Sequence, residues 1–238
     1  MSIDVKALTF DTGGTILNWH SGISDALATA GVRHGMARDW ATLTNDYRRR
    51  SLQRMVNAGG DSPATFNIDD VHRDVLDEII AEQGLGAFDE SDREAIWRRW
   101  HTLQAWPDFP PVLARLRERY IVASFTILTV SLIVDTARRN DLSWDAVISC
   151  EMIGTYKIRP EAYRTAARWL ALEPSEICMV ACHNFDLAAA ADVGFKTAFV
   201  RRPDEWGAAG PPDPEPSPTH DIIADDFPDM ARQLDIQI

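Results

Sequence analysis

Short apolar runs alternating with amphipathic stretches set the architecture of this chain. Residues 5–10, 121–125, 146–150, 177–182, 197–200 and 221–224 are mainly apolar, the pattern of strands buried on both faces of a parallel sheet. After residue 105 these runs alternate with segments of helical periodicity. The first is 112–119, with Val112, Leu113 and Leu116 on one face; 131–140, 161–172 and 187–193 follow, the last alanine-rich and closed by Gly194 as a C-cap. Such alternation predicts an α/β fold: a doubly wound, Rossmann-like parallel sheet with right-handed crossovers. Between the first strand and residue 106 the pattern changes. Segments 22–30, 37–58, 68–83 and 92–104 carry helical patterns, with no convincing strand among them. An all-helical block inserted after the first strand predicts a helical cap over the strand ends. The expected division is a core of residues 1–17 and 106–238 and a cap of residues 18–105. Residues 203–218, rich in Pro, Gly and acid, predict a loop at the edge of the core.

Composition narrows the partners. At 238 residues the chain has room for one α/β core with a smaller insertion. Its formal net charge of −12, from 36 acids against 24 bases, argues against a nucleic-acid face. It does not exclude a small anion, because one or two basic side chains can set the potential of a cleft. No apolar run is long enough to span a bilayer, and the N-terminus lacks the basic and apolar stretches of a signal peptide. The expected location is cytoplasmic. Cys150, Cys178 and Cys182 show no metal-ligand spacing and lie in or at the ends of apolar runs. They are expected as small buried hydrophobes in a reducing compartment.

The candidate chemistry begins where the first run ends, at Asp11-Thr12-Gly13-Gly14-Thr15. A buried parallel strand there delivers a carboxylate to its C-terminal end, where open α/β sheets keep their sites. A carboxylate so placed can act as a nucleophile. Two residues on stands Gly13, which has no proton to hand to a leaving group. Alone, this stretch reads as a turn with a capping acid. Its weight comes from two partners in order: Lys157 within Tyr156-Lys157-Ile158-Arg159-Pro160, and His183-Asn184-Phe185-Asp186-Leu187 after a later strand.

With Trp106-Pro107-Asp108 at the return to the core, this set resembles the haloacid dehalogenase superfamily. It is closer to the 2-haloacid dehalogenases, which carry a helical cap after the first motif. The resemblance implies that Asp11 is the nucleophile, that Thr15 positions it, that Lys157 keeps it ionised and that Asp186 stands close to that lysine. It implies that Thr126 binds a substrate oxygen, with Thr12 counted beside it. Arg48, in Tyr47-Arg48-Arg49-Arg50, is the match for a cap arginine that binds the substrate carboxylate or departing halide. Three successive helical positions point in different directions, so at most one or two can face a cleft. His183 and Asn184 are counted as substrate-side groups and, with Asp186, as acceptors for a positioned water. The implied reaction displaces halide from a short 2-haloacid, forms an aspartyl ester and hydrolyses it to a 2-hydroxy acid. The implied substrate is a small anion, with no cofactor and no metal ligand. Whether the chain pairs as a homodimer is left open.

Two positions depart from that family. Gly13 stands where an aromatic residue commonly walls the pocket, and Trp19, Trp106 or Phe185 are candidates to fill the space. Ile127 stands where an Asn donor is common, a loss on the order of 2–4 kcal/mol of anion stabilisation by analogy with a missing oxyanion donor. These departures keep two other readings in view. One is a Mg²⁺-dependent phosphatase of the same superfamily, which needs the second acid that Gly13 replaces and further oxygen ligands beside Asp186. The other is a catalytically silent relative that binds a ligand or partner. Tyr163 reads equally as a core residue or a site residue. Trp97 and Trp100 read as cap core, and only His183 argues for a reactive Cys182.

Overall fold

β1 (Ala7–Phe10), the strand that ends at Asp11, lies inside a six-stranded, all-parallel sheet. The computed structural model describes residues 3–57 and 67–237. β1 is wholly buried, as expected of a strand covered on both faces. β2 (Ile121–Thr126) pairs with one side of β1, and β3 (Ala146–Ser149) pairs with β2. β4 (Ile177–Ala181) pairs with the other side, followed outward by β5 (Lys196–Val200) and β6 (Ile222–Ala224). The order β3-β2-β1-β4-β5-β6 reverses direction between β1 and β4. The crevice beyond the carboxyl ends of strands at such a reversal is where open α/β sheets bind ligands. Asp11 follows β1 and His183 lies two residues after β4, so the sequence delivers both to the edge of that crevice.

Among the described residues, four α-helices lie between β1 and the helix that leads into β2: α1 (Trp19–Arg33), α2 (Trp40–Asn57), α3 (Ile68–Glu82) and α4 (Glu90–Arg98). Their starts follow from capping chemistry. Asn18 accepts from the Ser21 N–H, Asn67 accepts from the Asp70 N–H, and Asp89 and Asp92 form a reciprocal capping box. Position 58, expected at the end of the second helix, lies outside the described residues. The helix expected over 92–104 is α4 followed by a 3₁₀ turn, Arg99–Thr102. The two crossings between sheet and helical block run side by side. Leu17 bridges Ala105 in antiparallel fashion, the Asn18 N–H donates to the Gln104 carbonyl (2.9 Å) and the Trp106 N–H to that of Ile16 (2.8 Å).

The sheet is completed by α5 (Phe109–Leu116), α6 (Val130–Arg139), α7 (Cys150–Ile153), α8 (Pro160–Leu170), α9 (Asn184–Val193) and α10 (Phe227–Gln233). All six strands fall within two residues of their expected bounds. Cys150 does not end β3 but begins α7, because the Ser149 side chain accepts from the Glu151 N–H and starts a helical turn there. The 203–218 segment also differs from expectation. Its beginning is not at the edge: Glu205 and Trp206 are buried. Among the described residues no helix is long and apolar enough to cross a membrane.

Candidate active site

Asp11 is buried at the end of β1, with its backbone N–H donating to the Val180 carbonyl on β4 (2.9 Å). The Thr15 hydroxyl donates to Oδ2 (2.7 Å), and Lys157 Nζ lies 3.3 Å from Oδ1. Lys157 sits just before α8, which opens on Pro160, a residue suited to the first helical turn. Its ammonium also donates to Asp186 Oδ2 at 2.8 Å. Asp186 lies in the first turn of α9, where the helix dipole favours a negative charge. Burial by itself raises the pKa of Asp11, but Lys157, His183 and Thr15 outweigh it and hold the carboxyl well below the usual range. Burial likewise disfavours the charged lysine, and Asp186 and Asp11 reverse that, raising its pKa above the ordinary value. The pair is therefore an ionised carboxylate beside an ammonium. Tyr163, one turn into α8, donates its hydroxyl to Asp186 Oδ1 (2.5 Å), so it belongs to this network as well as to the core.

Thr12 and Thr126 meet at the ends of β1 and β2, the Thr12 hydroxyl donating to Thr126 Oγ1 at 2.6 Å. Thr126 also accepts from the Leu128 N–H (3.1 Å), and neither bond uses its own hydroxyl proton. Asn184 goes elsewhere. Its Nδ2 donates to the Glu215 carbonyl (2.7 Å), and its Oδ1 accepts from the Ser217 N–H (2.9 Å) and faces His220 Nε2 (2.9 Å). Of the residues expected at the site, it is the one whose side chain the fold spends on anchoring a loop.

Arg48 alone of the three arginines turns inward. Arg49 and Arg50 pair with Asp46, and Arg50 also with Glu82. Arg48 is buried, with its guanidinium 5.6 Å from the Trp19 ring centre and 5.5 Å from that of Trp100. Its Nε and Nη1 have no hydrogen-bond partner. Burial lowers its pKa, while Glu205 and Asp11 act in the opposite direction; an arginine stays cationic even so. This guanidinium occupies the space over Gly13. A Cβ placed on Gly13 would lie 3.0 Å from Arg48 Nη2, and the next side chain it would meet is Leu128, at 3.8 Å. None of Trp19, Trp106 and Phe185 is among the nearest neighbours of that space. The Trp106 indole instead donates to the Gly14 carbonyl (2.8 Å), and Phe185 is exposed against the His183 ring. The departure at Gly13 thus admits a cation rather than leaving a hole.

Glu205 is the site residue that sequence reasoning missed. It accepts from the Trp19 indole N–H (3.0 Å) and lies 3.1 Å from His183 Nε2. His183 Nδ1 faces Asp11 Oδ2 at 3.4 Å, so the imidazole bridges two carboxylates. Burial works against the charged ring, yet Cys182, Glu205 and Asp11 overcome it and set the His183 pKa well above 6.5. The Cys182 thiol is pushed up to about 11 chiefly by burial, which disfavours the nucleophilic thiolate. Arg202, from the same segment as Glu205, donates Nε to the Thr15 carbonyl (2.9 Å) and grips Asp108 with Nη1 and Nη2 (2.9 and 3.0 Å). No spacing signal pairs residue 205 with residue 183; only the return of the chain after β5 does.

Gly14 shows how tightly Glu205 is seated. Its φ is +97°, and a Cβ there would lie 1.9 Å from Glu205 Oε1. Gly14→Ala is expected to cost about 1–3 kcal/mol in backbone strain alone, lowering the melting midpoint by roughly 2–12 °C in a chain of this size. Gly35, with φ +65° and nothing within 4 Å of a Cβ, is the control. Equal losses in melting experiments on the two alanine variants would mean that Glu205 yields its place freely.

The family model for haloacid dehalogenase-like hydrolases matches residues 5–194. The chain is 28% identical over 204 residues to an (S)-2-haloacid dehalogenase of Xanthobacter autotrophicus, covering 83% of this chain and 76% of that protein. It is 26% identical over 217 residues to (S)-2-haloacid dehalogenase 1 of Pseudomonas sp. (strain CBS-3), covering 86% and 89%. Among solved structures, a defluorinating L-2-haloacid dehalogenase superposes with a TM-score of 0.88 at 34% identity, over 97% of this chain and 95% of the other. A second L-2-haloacid dehalogenase does so with a TM-score of 0.88 at 32% identity, over 97% and 99%.

Proposed function

Because the chain belongs to the haloacid dehalogenase-like hydrolase family, we propose that it removes halide from short 2-haloacids through a covalent ester on Asp11. The observation that carries this reading is a buried guanidinium with two free donors beside a buried, ionised carboxylate. A buried donor without a partner costs about 1–3 kcal/mol, and more when charged. Arg48 is therefore built to receive an anion, either the substrate carboxylate or the departing halide.

In the first step an Asp11 oxygen attacks C2 of the haloacid from the side opposite the halogen. The carbon–halogen bond breaks with its electron pair, and halide leaves as an anion that needs no proton. Lys157 keeps the nucleophile ionised, and the free Thr126 hydroxyl proton is available to a substrate oxygen. In the second step water attacks the Asp11 carbonyl carbon, freeing a 2-hydroxy acid and restoring the carboxylate. His183 is the favoured acceptor of that water's proton. Both Asp186 oxygens are engaged, by Lys157 and Tyr163, and the Asn184 amide is engaged elsewhere. Ester formation removes the Asp11 charge, one of the influences that keep His183 protonated. The ring gives its Nδ1 proton to solvent; Nδ1 then takes the proton of the attacking water and passes it to the departing alkoxide, while Nε2–H remains on Glu205.

We assign residues 18–105 to the cap and the remainder to the core, a division supported by the paired crossings at Leu17 and Ala105. We place the enzyme's work in the cytoplasm, a setting that suits three unpaired thiols. The test is a halide-release panel with 2-chloro- and 2-bromopropionate, with and without chelator. Release that survives the chelator is expected. Phosphate release from small esters only with Mg²⁺ would favour a phosphatase, and no turnover of either kind would favour a silent relative.

A further inference from the structure

We propose that Cys182, His183 and Glu205 form a binding site for a thiophilic divalent cation, of which Zn²⁺ is the type, and that its occupation stops turnover. The three side chains converge although residue 205 is remote in sequence from the other two. Cys182 Sγ lies 3.4 Å from His183 Nε2 and 3.6 Å from Glu205 Oε2, and Nε2 lies 3.2 Å from that same oxygen. A triangle of that size has a point about 2 Å from every corner. Zinc takes nitrogen and carboxylate oxygen at roughly 2.0–2.2 Å and thiolate at roughly 2.3 Å. The three donors are thus already at tetrahedral ligand–ligand spacing.

Their chemistry selects the ion. Sulfur, imidazole and one carboxylate suit zinc and its neighbours; Mg²⁺ and Ca²⁺ require oxygen sets that this corner lacks. Little reorganisation is needed. The Cys182 backbone N–H is tied to Thr15 Oγ1 (3.1 Å), Glu205 is held by the Trp19 indole, and both side chains are buried. The His183 ring is partly exposed and opens the corner to solvent on one side, leaving the fourth position to water or another small ligand. Its other nitrogen already faces Asp11 Oδ2, the outer carboxylate that commonly orients a metal-bound imidazole. Binding releases the thiol proton and the Nε2 proton to solvent. Two positive charges leave as two arrive, so the net charge of the corner is unchanged.

The consequence for turnover rests on the reading of His183 given above. An ion on Nε2 confines the ring's remaining proton to Nδ1, where it points at Asp11, and the ring can no longer accept a proton from water. Halide is then released once per enzyme and the ester accumulates. The cation is an inhibitor here, not a cofactor.

The test uses the purified full-length enzyme with Co²⁺ as the spectroscopic substitute for Zn²⁺. A sulfur-to-cobalt charge-transfer band is expected in the near ultraviolet, displaced by Zn²⁺ and absent from Cys182→Ala. Read against its own basal halide release, that variant is expected to lose sensitivity to Zn²⁺ by at least the roughly 10–100-fold that removal of an outer-shell partner costs. Zn²⁺ inhibition of the unaltered enzyme should be reversed by chelator. No sulfur band in the unaltered enzyme, or equal Zn²⁺ inhibition of Cys182→Ala, would overturn the site. A sulfur band in a chain that releases no halide would keep the site and reject the dehalogenase reading.

Discussion

Asp11→Asn is expected to lower halide release by about 10⁴–10⁶-fold, the range seen when a covalent nucleophile is removed. The amide keeps the shape of the carboxylate but has no charge with which to displace halide. It should not unfold the chain, because Lys157 retains Asp186 at 2.8 Å and is not left as an unpaired buried charge. Steady-state halide release measures the loss, and a melting curve checks the fold. Activity that returns on standing, together with the mass gain of deamidation, would report conversion of the asparagine to aspartate. The companion measurement is a single turnover of the unaltered enzyme in ¹⁸O-labelled water. The first product takes its new oxygen from Asp11, so the label appears first on the protein. Label in the product of the first turnover would mean that water attacks the substrate directly, and the ester mechanism would fall.

Arg48→Ala is expected to separate activity from stability. Loss of one oriented donor to a developing anion costs about 10²–10³-fold in rate, and kcat/KM for 2-haloacids should fall by at least that much. Arg48→Lys should recover little, because a single ammonium cannot reproduce the planar fork that reaches from between Trp19 and Trp100 to Gly13. Stability should move the other way, or hardly at all. The native guanidinium carries two buried donors without partners, a cost that its removal relieves and that lost packing between the two indoles offsets. A residue held for activity at the expense of stability shows this signature. A large drop in melting midpoint together with the drop in rate would instead make Arg48 a structural member of the helical block.

The strands were legible because a strand covered on both faces must be apolar at nearly every position, as Ala7–Phe10 and Ile177–Ala181 are. The ion pairs of Lys157 with Asp11 and Asp186 were legible only through order and resemblance, since nothing local in Tyr156-Lys157-Ile158 says which carboxylate the ammonium meets. The inward turn of Arg48 was half legible: three adjacent arginines limit how many can face a cleft, but which one does so depends on helix register. Glu205 was hidden, because an acid in a Pro- and Gly-rich stretch resembles any solvated loop residue. Its role exists only through Gly14, Trp19 and His183, which three separate elements bring to it. Asn184 was misread for the converse reason. Its neighbours His183 and Asp186 face the site, while one residue at the start of a helix suffices to turn a side chain toward residues 215–220.

Arg202 and Glu205 have a bearing on how much of the chain the site needs. The family match ends at residue 194, yet both of these side chains lie beyond it: Arg202 donates to the Thr15 carbonyl and Glu205 pairs with His183. Asp11, Lys157, His183 and Asp186 all precede the two side chains that brace this corner. A chain cut short after β5 would keep all four of those side chains and lose both braces.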